Sequence, residues 1–90
     1  MYNIDKDEIL SKVSEYALFR NGKKVLIIEV HEQIAGKTDF KFMAAPKRGL
    51  IAGEVEYYGH GNSEDEALKD CLPRIKGVSL DAIAPRSHSD

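Results

Sequence analysis

The stretch that most limits how this chain can fold is the corner Tyr57-Tyr58-Gly59-His60-Gly61-Asn62-Ser63-Glu64-Asp65-Glu66-Ala67-Leu68. Residues 54–58 alternate in strand fashion, with Val55 and Tyr57 set against Glu54, Glu56 and Tyr58. Ser63 and Glu66 then have capping-box spacing, and Ala67, Leu68, Cys71, Leu72 and Ile75 recur at helical spacing. A strand must therefore give out on glycines and pass directly into a capped helix. Pro73 either kinks that helix or ends it near Leu72, with a turn continuing to Lys76 before Gly77. Ser79 is placed to cap a last short turn through Leu80 and Ile83, stopped by Pro85. Residues 86–90 are polar and read as a frayed, flexible tail.

Upstream, residues 23–32 form the clearest strand, because Val25, Ile27, Ile28 and Val30 are β-branched in a short run. Residues 39–45 alternate Phe40, Phe42 and Ala44 with Lys41 and Met43, a second strand, and residues 46–49 read as a turn. Asp5 and Glu8 repeat the capping spacing, and Ile9, Leu10, Val13, Tyr16 and Ala17 follow at helical intervals. These positions predict a first helix over residues 5–20, stopped by Asn21-Gly22. Asn-Gly is also the favoured two-residue hairpin turn, so residues 16–20 have a competing reading as a strand.

The resulting order, α-β-β-β-α with short links, predicts an α+β domain of two layers. Its three-stranded antiparallel sheet would carry both helices on one face. Residues 1–90 make one domain, with a core over about 5–84. Strand alternation puts Leu26, Ile28, Val30, Phe40, Phe42, Val55 and Tyr57 on the covered face. The open face would show Val25, Ile27, Met43 and Tyr58, an apolar group of the kind that marks an interaction surface.

Composition narrows the function classes. Hydrophobic residues make up 42% and charged residues 31%, the balance of an ordinary globular domain. No apolar run has a bilayer's length, and the N-terminal residues lack a secretory pattern. A single cysteine, Cys71, fits a reducing compartment, so a cytoplasmic location is expected. Residues 20–48 hold seven basic groups against three acidic, and residues 54–70 hold six acidic against one basic. Six of the seven, Arg20, Lys23, Lys24, Lys37, Lys47 and Arg48, are the candidate phosphate-binding surface if the chain binds nucleic acid.

Candidate chemistry is sparse. His31, His60 and His88 lack metal-ligand spacing, so no metal or other cofactor is expected. Cys71 falls in a helical stripe where burial makes a thiol inert. Glu54 and Glu56, two apart on an expected strand, share a face that Glu29 could join, and Lys41 would be their counter-charge. Gly59-His60-Gly61 before a helix could cradle an anion, but Glu64, Asp65 and Glu66 would repel it. The expected protein is not an enzyme.

Two partial resemblances follow from these residues. Helix, three strands and helix over about residues 5–76, with Gly61-Asn62-Ser63 and Ala67-Leu68 at the second helix, resembles the double-stranded-RNA-binding domain. That resemblance implies an RNA grip using Lys37, Lys47 and Arg48. Yet acids stand where family members place lysines at the second helix. Residues 24–68, and above all Gly61 to Leu68, are similar to HicB-type antitoxin domains, in which a hairpin runs into such a helix start. This similarity implies association through the sheet. The expectation is therefore a non-catalytic module that binds a protein partner or itself, as in a dimer, through the open sheet face. Nucleic-acid binding and a HicB-like antitoxin role are the alternatives.

Overall fold

The structure, a computed structural model, describes residues 2–37 and 40–85. Its elements run β1 (Leu10–Arg20), β2 (Lys23–Ala35), β3 (Phe42–Arg48), β4 (Ile51–Ala52), a 3₁₀ turn (Val55–Tyr57), β5 (Gly59–Gly61), α1 (Glu64–Ile75) and α2 (Leu80–Ile83). It is an α+β fold with one antiparallel sheet. The strand order is β1-β2-β3-β4, with β5 pairing β3 beside β4. The expected tail, residues 86–90, and Asp39 at the start of the expected second strand lie outside the described residues.

The first expected helix is a strand. Asp5 and Glu8 do make the local capping bonds, Asp5 N–H to Glu8 Oε1 at 2.8 Å and Glu8 N–H to the Asp5 carbonyl at 3.0 Å. No helix follows them, because β1 finds a better partner in β2. Asn21 and Gly22 both have positive φ, 53° and 80°, the requirement of a type I′ hairpin turn whose twist matches its strands. β1 and β2 are then antiparallel along their length, with Tyr16 opposite Ile28 and Val13 opposite His31. Two register shifts leave Val25 and Ile34 as the extra residues, both on β2.

The expected turn at residues 46–49 is corrected as well, since Pro46, Lys47 and Arg48 belong to β3. Proline is tolerated there for a specific reason. The Pro46 carbonyl accepts the Gly53 N–H at 2.8 Å, so Pro46 turns its backbone polar side away from β2. Its absent N–H falls between β5, which pairs residues 42–44, and β4, which pairs residues 47–48. Residues 54–58 are not the third strand. The Tyr57 and Tyr58 amides bond back to Glu54 and Val55 in a 3₁₀ turn, and Val55, expected inside, is 74% exposed. The strand comes later, on the glycines.

Leu26, Ile28, Val30, Ala44, Ala67, Cys71, Ile75 and Ile83 form one core cluster, joined by Leu18, Phe42 and Tyr57. Each large aliphatic side chain buried there contributes on the order of 2 kcal/mol over leaving it in water. α1 reaches this core because the two β5 residues beneath it, Gly59 and Gly61, have no side chains. A Cβ on Gly59 would lie 2.3 Å from the Cys71 nitrogen and 2.5 Å from the Ala67 carbonyl oxygen. One on Gly61 would lie 2.5 Å from the Glu66 Cβ. The Ser63 cap forms as its spacing predicts, Ser63 Oγ accepting the Glu66 N–H at 3.1 Å, while Glu66 Oε1 reaches one residue past the N-cap and accepts the Asn62 N–H at 2.9 Å. Pro73 stays inside α1, which continues to Ile75. Ser79 caps α2 through the Ala82 N–H.

Candidate interaction surface

Alternation along β2 divides the sheet. Leu26, Ile28 and Val30 are at most 2% exposed, whereas Ile27, Glu29 and His31 between them are half-buried. Cross-strand pairing extends that second set into three rows. Ala17, Ile27 and Lys47 stand in one, Glu15, Glu29 and Ala45 in the next, and Val13, His31 and Met43 in the last. His60 of β5 lies opposite Met43, and the Phe40 ring packs on the His60 ring at 4.5 Å between centroids. This face is mixed. Val13, Ile27 and Met43 supply apolar area, and polar groups between and beside them bind one another.

Those polar contacts have clear electrostatic consequences. Lys47 Nζ sits 2.9 Å from Glu29 Oε2, and His31 Nε2 sits 3.3 Å from Glu29 Oε1. The Lys47 ammonium holds the Glu29 carboxyl below its usual range, despite some opposing desolvation, and Glu29 in turn raises Lys47. Ser11 Oγ lies 3.5 Å from His31 Nδ1, completing a Ser11–His31–Glu29 line beside a small hollow of about 140 Å³. Helical spacing places Ser11 on the expected first helix, so this line exists only once the hairpin brings Ser11 to His31. The Ser11 contact is at the outer limit of a hydrogen bond, so the line acts as a link between strands.

The other expected residues are dispersed. Of the four open-face candidates, Ile27 and Met43 share the face. Val25 is the extra residue of a bulge and packs against the core cluster. Tyr58 lies between the 3₁₀ turn and β5. Among the basic candidates, Arg20 donates to the Val78 and Ile75 carbonyls at 2.8 and 2.9 Å, satisfying the end of α1. Lys47 is held by Glu29, and Arg48 binds Asp81 at 2.6 Å. Lys23 and Lys24 open β2 beside the hairpin turn, and Lys37 is in the next loop. Glu54 precedes the 3₁₀ turn as its N-cap residue and Glu56 falls within it, both in a different element from Glu29 on β2.

Cys71 is fully buried, its thiol 3.4 Å from the Tyr57 carbonyl, and burial pushes it up to about 11. Such a thiol is a packing group at neutral pH. Asp70 is different: it accepts the His60 N–H at 2.9 Å and pairs with Arg74 at 3.3 Å. Those donors, the amide foremost, hold its carboxyl below the usual range. Among the described residues, no three His, Cys, Asp or Glu side chains converge on a point suited to a metal ion. No helix among the described residues is long and apolar enough to cross a membrane.

A second surface was not legible in the sequence. α1 leaves an apolar groove of about 590 Å³ beside β1, lined by Leu18, Arg20, Leu72, Pro73 and Ile75 among others. Compared with known proteins, the chain matches no family model, no curated protein and no solved structure.

Proposed function

We propose that this chain is a small non-catalytic module that works by protein association through the open face of its sheet. Both helices serve to cover one face, and the other is left for a partner. The observation that carries this reading is the division along β2. Leu26, Ile28 and Val30 are sealed, while Ile27 remains half-exposed in line with Val13 and Met43. Glu29 and His31 stand within that strip on β2, between Ile27 and the Val13 and Met43 pair, and their contacts with each other and with Lys47 leave the face's polar groups satisfied without a partner. A photo-crosslinking residue at position 43 should yield a discrete protein adduct in native extract. The same group at Leu50, which is 97% exposed in a turn, should not. Adducts that are absent, or equal at the two positions, overturn the proposal.

A HicB-like antitoxin role is the second reading. It is favoured by β5, which pairs with β3 and runs within two residues into the Ser63-capped α1. Its partner would be a small toxin, and the expected outcome is relief of toxin-induced growth arrest on co-expression. Arrest that persists despite soluble expression of this chain removes the reading.

A further inference from the structure

We infer that β1 is the pairing edge for a second copy of this chain, in an antiparallel register centred on Ser14. This inference is independent of the open-face reading, since it uses the edge of the sheet. β1 has eleven residues and, among the described residues, pairs as a strand only with β2. The opposite margin is different: there β4 and β5 have two and three residues, with a 3₁₀ turn between them. Folded proteins blunt sheet edges with short, interrupted strands, and a long edge left open is a template for strand addition. Both bulges of the hairpin place their extra residue on β2, which leaves the outer backbone of β1 continuous.

The sequence of β1 selects the partner and the register. Outward-pointing backbone groups alternate, so in an antiparallel self-pair odd residues must face odd and even must face even. The three longest registers are therefore centred on Ser14, Glu15 or Tyr16. Centring on Glu15 sets its carboxylate against its own copy, in a row that already holds Glu29 on each side. Centring on Tyr16 sets Lys12 against Arg20. Like charges directly opposite are destabilising. Centring on Ser14 avoids both clashes. It puts Leu10 of each copy opposite Leu18 of the other, at the mouth of the apolar groove beneath α1. It also puts Lys12 opposite the second copy's Tyr16, whose hydroxyl donates to Glu64. The lysine of each copy thereby meets the carboxylate of the other, twice per dimer. The groove gains an aliphatic side chain, and both helical layers fall on the same side of a continuous sheet.

Sedimentation equilibrium with hydrogen exchange tests this. The wild-type chain is expected to dimerise, and alternate β1 amides should gain protection as concentration rises. Ser14→Lys, which sets two ammonium groups on the axis, should give a folded monomer. Lys12→Glu should weaken the dimer about tenfold through its two symmetric contacts, and Glu64→Lys added to it should restore affinity. If Ser14→Lys does not fold, the Lys12 and Glu64 pair decides the matter, because the double variant regenerates both charges. A strict monomer at high micromolar concentration overturns the inference. So does a dimer that Ser14→Lys leaves intact and the face variant Met43→Lys abolishes, which would uphold the open face instead.

Discussion

At the scale of single residues, Gly59 and Asp70 explain how α1 is fixed to the sheet. Gly59 provides absence: backbone atoms of Cys71 and Ala67 occupy the space a Cβ would need, and neither can yield as a side-chain tip would. Gly59→Ala is expected to destabilise the protein by about 3 kcal/mol, read as a lowered midpoint in guanidinium chloride with unchanged slope. Asp70 provides a bond, from α1 to the His60 amide of β5. Its folded-state pKa lies below the unfolded value, so the unfolded chain binds that proton more readily. The stabilisation is present above the ordinary carboxylate range and is lost as pH falls through the depressed folded value. Asp70→Ala should therefore melt a few degrees below wild type at neutral pH, and the gap should close in acid. The sequence showed both residues without their roles. Glycines before a helix look like a broken strand, and only the packed helix reveals that they are its floor.

Among the elements, what was legible depended on whether the signal was local. Both caps of the C-terminal half formed where their spacing placed them, because a cap is satisfied within four residues. The helix expected over residues 5–20 failed for an instructive reason. Val13 and Ala17 lie on one face of β1, and Tyr16 and Leu18 on the other. An edge strand that is partly apolar on both faces imitates a helical stripe, and pairing with β2 decides between them. The Asn21-Gly22 turn held the correct signal. Residues 54–58 failed similarly, since an alternating pattern also suits a 3₁₀ turn that packs a half-buried Tyr57 against the core. α1 tolerates Pro73 at a cost. The ring removes the donor that would reach the Lys69 carbonyl, at an exposed position with little packing to offset the loss. Pro73→Ala should raise stability by between about 1 and 3 kcal/mol, visible as a higher thermal midpoint.

For the whole molecule, the charge asymmetry of the sequence resolves into separate local uses. Acidic residues cluster in the first turn of α1, where Asp65 pairs with Lys69 and the helix dipole favours negative charge. Arg20 and Arg48, which in the sequence belonged to a basic patch, secure α1 and α2 to the sheet. The open face was legible only at Ile27 and Met43, where strand alternation placed them; Val13 beside them, and the open edge of β1, depend on which strands become neighbours. The blunted margin at β4 and β5 has a further consequence. A subunit with one receptive edge can recruit only once, so the pairing proposed for β1 would end in a closed object of two copies and would not propagate into a filament. In such an assembly the broken far margin would act as a chain terminator. The chain should show a discrete size limit on concentration, and no fibre growth on prolonged incubation.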